Sequence, residues 1–558
     1  MASLQKRTVK GIDYWSLVES RRVNGKPRPV VIEYFGNTKK FTEWLINGRN
    51  ENKILKSYSH GDTFALMKIA EKLGIETILD DVFPSRERKG VKRSTCLLLI
   101  ALQSICKPGS KSEFETWLRG TTLPYDYNLP NITSRRIWEQ MDKISENELA
   151  EAEDRITRAI FQKYNFGLEK IALDYTNYFS YISSTNDKSE LAKRGHNKQK
   201  RNDLRQYSLA LITTKESGLP LCSHVYEGNK TDKTIFPEYL GILEKRIPNF
   251  DPQNITLVFD GGSNTKDNFK ALKTHFICSF SLSYCKELYD YDLAEYETLT
   301  INGKQVQCYR LTHEVWGESR ECILTYSHPL YTGQLKELES DIAKVNAAVE
   351  KLNEQLGNPK SRISKTKESI QARINAILSK KYMTDIFISV LTESTKNTKN
   401  TKNTKNNDRL ITHVDCKVDA IKKKEIVYKY FGKKLTITDR KEWTTETIIK
   451  TFREQDCIEK IFRQTKDGTH CAIRPQFHHT DQKIRVHIFC CLLGLALATI
   501  LHKEVSEQGL NVSKFHMLDI LGSIRRCWIT DKNSTKASSV LEDMDDCQIK
   551  IWNVIRAC

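Results

Sequence analysis

The sequence predicts an α/β fold: a mixed sheet with helices packed on it, interrupted by a long insertion and preceded by a basic region. Three observations predict it. Strand and turn signals alternate from about 165 to 282, helical patterns stand beside them at 235–246 and 265–273, and a further strand and helix resume only at 435–466. The stretch between Asp260 and Glu459 is too long for a loop and carries elements of its own.

In chain order, residues 8–36 read as a β-hairpin, with Tyr14–Glu19 and Val30–Tyr34 flanking the turn dipeptide Asn24-Gly25. Lys10, Arg21, Arg22, Lys26 and Arg28 surround it, and such a hairpin either grips a phosphate backbone or is a solvated charged face. A helix is expected over 62–73, with Asp62 as N-cap, apolar positions from Phe64 to Leu73, and Gly74 as its stop. The apolar helix 96–106 follows, then a short helix from Thr133 or Ser134 through Ile144. Arg135 and Arg136 near its start stand where a groove-reading helix presents side chains to DNA; an ordinary surface helix is the other reading.

The core strands are expected at 170–174, 207–213, 219–226, 255–260 and 276–282. Within the insertion, a hairpin turns at Asn302-Gly303 and a strand runs over 321–326. Leu335, Leu338, Ile342, Val345, Val349, Leu352 and Leu356 then form a heptad seam. Ile363, Ile370, Ile374 and Ile377 continue a second helix, so the two fold back as an antiparallel helical hairpin or pair with a second chain. The Thr-Lys-Asn repeat over 395–406 holds no apolar residue and reads as a flexible linker. Strands at 410–418, 425–430 and 435–438 lead through Thr444 into a helix over 445–466. The apolar run Ile488–Leu501 is shorter than the roughly 20 residues a membrane span needs and reads as a buried core helix.

Composition narrows the partners. The 88 Lys and Arg against 70 Asp and Glu leave +18 on 558 residues, a balance that favours a polyanion such as nucleic acid. Fifteen cysteines without a CxxC pair indicate neither a zinc module nor a secreted disulfide framework, so reduced thiols in a cytoplasm are expected. The opening Met-Ala-Ser-Leu-Gln-Lys-Arg has no apolar signal core, and no membrane partner is expected. Gly261-Gly262 lacks the lysine and serine of a phosphate-binding loop, and His470, His478, His479 and His487 fit no zinc spacing.

The candidate chemistry lies in three acids. Asp174 and Asp260 sit in buried-strand patterns, where an ionised carboxylate is costly unless partnered. Glu459 lies on the later helix, where Phe452, Gln455, Glu459, Phe462 and Lys466 share one face by their 3,4,3,4 spacing. A surface salt bridge is the plain reading of Glu459 alone. Combined, three carboxylates from separate elements suit two Mg2+ (or Mn2+) ions about 4 Å apart, one activating a water or 3′ hydroxyl and one stabilising the leaving oxygen. Asp174 is assigned the bridging position. Asp232, Asp267 and Asp439 are reserve acids, with Asp232 the foremost because it follows the strand pair; capping of a turn is its plain reading.

At this point the chain resembles the DDE transposases of bacterial and archaeal insertion sequences. Their order of acids is strand, strand, long insertion, helix. The helix signature of one insertion-sequence-four-like group is Tyr, two residues, Arg, three residues, Glu, six residues, Lys. Phe452, Gln455, Glu459 and Lys466 meet that spacing, with Phe for Tyr and Gln for Arg; Arg453 or Arg463 stand near enough to replace the lost charge. Gly228-Asn229 with Asp232, Asp260-Gly261-Gly262, Ile473-Arg474-Pro475 with His487, and the run Val18–Lys26 extend the likeness over most of 14–525.

The resemblance implies a ribonuclease-H-like core with an inserted β-rich domain. It implies Mg2+-dependent cleavage at element ends followed by strand transfer into target DNA, with Asp174, Asp260 and Glu459 as catalytic metal ligands. Lys466, Gln455, Phe452, Arg463 and Arg453 become DNA contacts, joined by Arg135 and Arg136. Double-stranded DNA with terminal inverted repeats, target DNA and a homodimer in the DNA complex are the implied partners, and the prokaryotic cytoplasm and nucleoid the location. A transposase-derived DNA-binding protein that no longer cuts, and a nuclease without strand transfer, are the rival functions. The chain then divides into a basic hairpin region (1–60), a helical DNA-binding region (61–160), core parts (161–283 and 441–505) around the insertion with its helical hairpin and linker (284–440), and a helical tail (506–558).

Overall fold

The computed structural model describes residues 2–23, 26–47, 53–84, 90–142, 144–197, 199–247, 250–358, 360–397, 408–474, 477–531 and 537–557. The expected Asn24-Gly25 turn, Pro475 and the part of the Thr-Lys-Asn repeat beyond Asn397 lie outside the described residues. The chain forms two compact units. One comprises Met1–Tyr164, Tyr178–Ala192 and Arg463–Cys558; the other comprises Asn165–Asn177 and Lys193–Phe462.

The first unit opens with an antiparallel sheet of β1 (Ala2–Val9), β2 (Ile12–Val23) and β3 (Lys26–Asn37), in which β2 and β3 are the expected hairpin. Strand β4 (Lys53–Ser59) leads into the helix Gly61–Leu73. His60, and not Asp62, holds its N-cap position; Asp62 is buried in the first turn and accepts the Thr63 backbone N–H at 2.7 Å. Gly74 closes the helix with φ 66°, a conformation that costs glycine nothing. The short helix bearing Arg135 and Arg136 runs Ser134–Gln140, capped by the Thr133 side chain, and ends before the expected Ile144.

Helices Arg93–Cys106 and Asp481–Glu507 make the apolar centre of this unit. A Cβ on Gly494 would lie 2.5 Å from the Ala101 carbonyl, so glycine there sets how closely the two helices approach. Asp481–Glu507 is, among the described residues, the one helix long and apolar enough to cross a membrane, and 94% of its most apolar window is buried within the protein. His487 and His478 lie in this interior, where burial holds both imidazoles well below their usual range.

The second unit is built on a nine-stranded sheet. Its strands are β5 (Lys170–Ser180), β6 (Arg205–Thr214), β7 (Pro220–Glu227), β8 (Thr256–Phe259), β9 (His275–Phe280), β10 (Glu297–Ile301), β11 (Lys304–Val315) and β12 (Glu318–Tyr326), with β15 (Lys433–Thr438) later. Their order is β10-β11-β12-β15-β9-β8-β5-β6-β7. The pairs β5–β8 and β8–β9 are parallel, whereas β6–β7 and every pair from β9 outward to β10 are antiparallel. Central strands covered on both faces need apolar residues at successive positions, and β8 is buried at all four.

The interval 284–440 therefore splits in two. Its strands β10, β11, β12 and β15 prolong the core sheet. Its helices His328–Gly357 and Lys367–Ile377 pack with β13 (Phe387–Asn397), β14 (Asp408–Val418) and helix Ala420–Tyr430 around a core of their own. The heptad seam from Leu338 to Leu356 is buried there, and Asn353 bonds both backbone groups of Val414 at 2.8 and 2.9 Å. The seam is thus filled by its own chain, as the reading of a fold-back within the chain expects, and not left open for the alternative pairing with a second one.

The expected strand 425–430 is instead the end of helix Ala420–Tyr430. Asp419 accepts the backbone N–H groups of Ile421 and Lys422, and the Lys-rich first turns favour helix over the β-branched pattern that follows. The expected tail 506–558 holds β16 (Arg525–Asp531) and β17 (Ala537–Leu541) as well as helices, and β16 pairs with β4.

Candidate functional site

Strand register brings the two aspartates together. Leu173 of β5 is paired with Phe259 of β8, so Asp174 and Asp260 are neighbours one step further on, with backbones roughly 5 Å apart. Alternation sets their face. Phe259 points to the side of helices Asp232–Arg246 and Lys266–Ala271, its ring 5.1 Å from that of Phe236 and 6.2 Å from that of Phe269. Val258, and hence Asp260, points to the opposite side, where Ile448 and Ile449 pack on Val258 and Ile277. Ala172 and Asp174 lie in register with them.

After Asp260 the chain turns sharply. The Gly261 N–H donates to Ser279 Oγ at 2.8 Å and the Asn264 amide to the Ser279 carbonyl at 2.8 Å. A Cβ at Gly261 would meet that carbonyl at 3.2 Å, and one at Gly262 would meet Asp232 Oδ2 at 3.2 Å. Two glycines are what let the turn pass between those groups.

The expected helix 445–466 is broken. It runs Thr445–Arg453, stops, and restarts as Asp456–Asp467. Gln455, Cys457 and Ile458 bond three residues back, to Phe452, Glu454 and Gln455, so the chain tightens over this step. Gln455 is buried and its amide reaches to 3.5 Å from the Leu173 carbonyl, directly before Asp174. The single face proposed for Phe452 through Lys466 is therefore continuous only from Glu459 onward. No glycine or proline marks the break, so the spacing alone hid it.

Glu459 is exposed in the first turn of the second segment. It lines, with Asp260, an open cleft of about 1680 Å³ within the second unit. Asp174 lies beside Asp260 on the next strand. Among the described residues, the group of His, Cys, Asp and Glu whose ligand atoms all lie within 4.8 Å of one another is Cys285, Glu287 and His313, so the three acids stand further apart than that. Phe452 is half-buried against the Val258–Ile448 cluster and forms part of the cleft wall. Arg453 is exposed at the same wall.

In the first unit, Lys466 lies 5.4 Å from the centre of the Tyr178 ring, and Arg463 is exposed. Arg135 is exposed and paired with Glu139 on its own helix at 3.0 Å; Arg136 approaches the same carboxylate at 3.7 Å.

The reserve acids separate cleanly. Asp439 holds the start of β9, accepting the Phe276 N–H at 3.0 Å with His275 at 2.9 Å. Asp267 sits in the first turn of helix Lys266–Ala271. Asp232 begins the helix on the far side of the sheet, where the Tyr226 hydroxyl donates to it at 3.2 Å. Tyr175, which alternates to that same side, donates no proton readily: burial pushes its phenol far up, with Asp232 and Asp174 adding to the shift.

Sequence reasoning missed the cations of the cleft. Lys170, Lys215, Lys434, Lys450 and Lys460 line it together with Arg453. Burial pulls the Lys215 ammonium down to about 8, against the opposing effect of Glu454 at 3.8 Å. These lysines come from the start of β5, the β6–β7 turn, β15 and two helix segments, and nothing in their spacing links them.

No family model matches the chain, and no curated protein matches it. Among solved structures, it is similar to the piggyBac transposase in a synaptic complex with hairpin DNA, at 7% identity and a TM-score of 0.37, over 83% of this chain and 79% of that one. So distant a likeness decides nothing about this chain. What stands by itself is a mixed α/β protein with a large mixed sheet and many helices.

Proposed function

We propose that this chain is a divalent-metal-dependent DNA transposase with a ribonuclease-H-like core, which cleaves at the ends of a mobile element and joins the freed 3′ hydroxyl to target DNA. The observation that carries the reading is the adjacency of Asp174 and Asp260 on neighbouring parallel strands, facing the side on which Glu459 opens to the same cleft as Asp260. The order strand, neighbouring strand, insertion, helix supports it, as does the basic wall of the cleft.

Asp174, Asp260 and Glu459 are the residues that would hold two Mg2+ or Mn2+ ions. Their all-oxygen donor set fits such ions, and exposure of Asp260 and Glu459 leaves room for phosphate oxygens. When bound, the metal supplies Lewis-acid activation of a water or 3′ hydroxyl and stabilisation of the leaving oxygen. The chain's own part is positional. The Gly261–Ser279 bond fixes the turn that aims Asp260, and Arg453, Lys450 and Lys460 neutralise phosphates along the wall. Assembly as a dimer on paired ends, and action at the prokaryotic nucleoid, belong to the same proposal.

One observation favours a second reading, a DNA-binding protein of the same descent that no longer cuts. Gln455 is turned inward and the Phe452 side chain has no polar atom, so two positions of the signature offer no side chain to a phosphate. The test is Mg2+-dependent cleavage and joining of a duplex carrying the inverted repeats that flank the gene. Cleavage and joining by the wild type, lost in Asp174→Asn with binding retained, is the expected result. Binding without cleavage establishes the second reading, and cleavage without joining a nuclease.

A further inference from the structure

We propose that Cys285, Glu287 and His313 form a binding site for a zinc-class ion, distinct from the acids of the cleft. Cys285 lies between the short turns Leu282–Tyr284 and Lys286–Asp290, just after β9, and Glu287 is two residues on. His313 comes from β11, within the insertion. The three ligand atoms all lie within 4.8 Å of one another, and His313 Nε2 stands 2.7 Å from the Glu287 carboxylate. None of the three lines the cleft.

The geometry is close to that of a bound ion. Zinc–sulfur, zinc–nitrogen and zinc–oxygen bonds of about 2.0–2.3 Å in a tetrahedron separate ligand atoms by about 3.3–3.6 Å. On that reckoning the His313–Glu287 pair, at 2.7 Å, opens by somewhat under about 1 Å as the ion replaces its hydrogen bond, and the Glu287 side chain, 60% exposed, can make that movement. The thiol of buried Cys285 gives its proton to solvent as it binds. Thiolate, carboxylate and neutral imidazole then balance the two charges of the ion, so nothing charged is left uncompensated beside the apolar interior. Sulfur and imidazole donors select zinc over magnesium, and the fourth position falls to water. Bound there, the ion ties the turn that leaves the core sheet to a strand of the insertion, residues that only the fold brings together. The plain competitor is a half-exposed His–Glu pair that happens to lie beside a thiol.

Titration of the full-length, tag-free protein with Co2+ separates the two. A saturable 1:1 sulfur-to-cobalt charge-transfer band is expected, displaced by Zn2+ and lost in Cys285→Ser. Glu287→Gln and His313→Gln, both at partly exposed positions, are expected to weaken Co2+ and Zn2+ binding at least ten-fold with unchanged far-UV circular dichroism. Zn2+ should raise the Tm of the wild type and not that of His313→Gln. A wild type without the band, a Cys285→Ser protein that keeps it, or Glu287→Gln and His313→Gln proteins that bind as the wild type does, each overturns the site. Should Cys285→Ser fail to fold, those two variants decide alone. Because no DNA is involved, the result is independent of whether the cleft cuts.

Discussion

The two faces of the central sheet use aspartate in opposite ways. On one face Asp174 and Asp260 stand side by side and Asp260 is open to a cleft; on the other, Asp232 is half-buried against the Tyr226 hydroxyl and the Gly262 backbone. The lesson concerns hydrogen bonding. A carboxylate turned into the helices takes its hydrogen bonds from the fold, as Asp232 does from Tyr226, whereas an exposed one such as Asp260 keeps lone pairs open to solvent and to whatever enters the cleft. Residue type and position near a strand end do not distinguish the two; the direction of the side chain does.

The largest effect expected is on the open face. Asp174→Asn and Asp260→Asn each remove one ligand charge while keeping shape, and metal stabilisation worth several kcal/mol makes a loss of about 10³-fold in Mg2+-dependent cleavage the expected outcome. Asp232→Ala should leave cleavage within a few-fold. Comparable losses in all three would erase the contrast between the faces. Glu459→Gln should follow the first two, and a Glu459 variant that cleaves normally would take the helix out of the site.

A second effect is expected on stability, with the order reversed. Asp232→Ala leaves the Tyr226 hydroxyl without its acceptor, and a buried donor so orphaned costs about 1–3 kcal/mol. Asp260→Asn, an isosteric change at an exposed position, should unfold at nearly the same denaturant concentration as the wild type. Urea unfolding followed by circular dichroism reads both. A third, smaller effect belongs to the helix that carries Glu459: Lys466→Ala should reduce the slope of log affinity against log salt by roughly one phosphate contact. An unchanged slope would take Lys466 out of the DNA interface and leave it a structural role beside Tyr178.

How much of this was readable from sequence follows from which forces are local. The strands carrying Asp174 and Asp260 announce themselves because a doubly covered strand is apolar along its length, and Gly261-Gly262 marks the turn after it. The apolar run Ile488–Leu501, which is the middle of helix Asp481–Glu507, and the seam Leu335–Leu356 were readable because each is a pattern along one stretch of chain. What closes the seam was not, because the Asn353–Val414 bonds join residues far apart in the chain. Nor was the break at Glu454–Gln455, where a buried glutamine reaches for Leu173 and no residue of the helix forbids continuation. The extension of the core sheet by β10, β11, β12 and β15 is a pairing choice, and every one of those strands would read alike in a separate domain. Asp232 could be placed on a turn but not on a face, since the face depends on which way the preceding hairpin lies.

The smallest effect tests the closed face from its other partner. Tyr226→Phe removes the donor and leaves Asp232, which is only half-buried and takes water in its place, so the loss should be about 1 kcal/mol and less than that of Asp232→Ala. pH sharpens the distinction. Burial, with Asp232 beside it, pushes the Tyr226 phenol far above its ordinary value of 10.0. A phenol that ionises less readily when folded favours the unfolded chain once the unfolded phenol loses its proton, so its contribution is intact below pH 10 and declines as pH rises beyond. The wild type should therefore lose stability in alkali more steeply than Tyr226→Phe. Equal alkaline slopes for the two proteins would mean that Tyr226 is hydrated in the native state, and that the far face of the sheet is as open to water as the cleft.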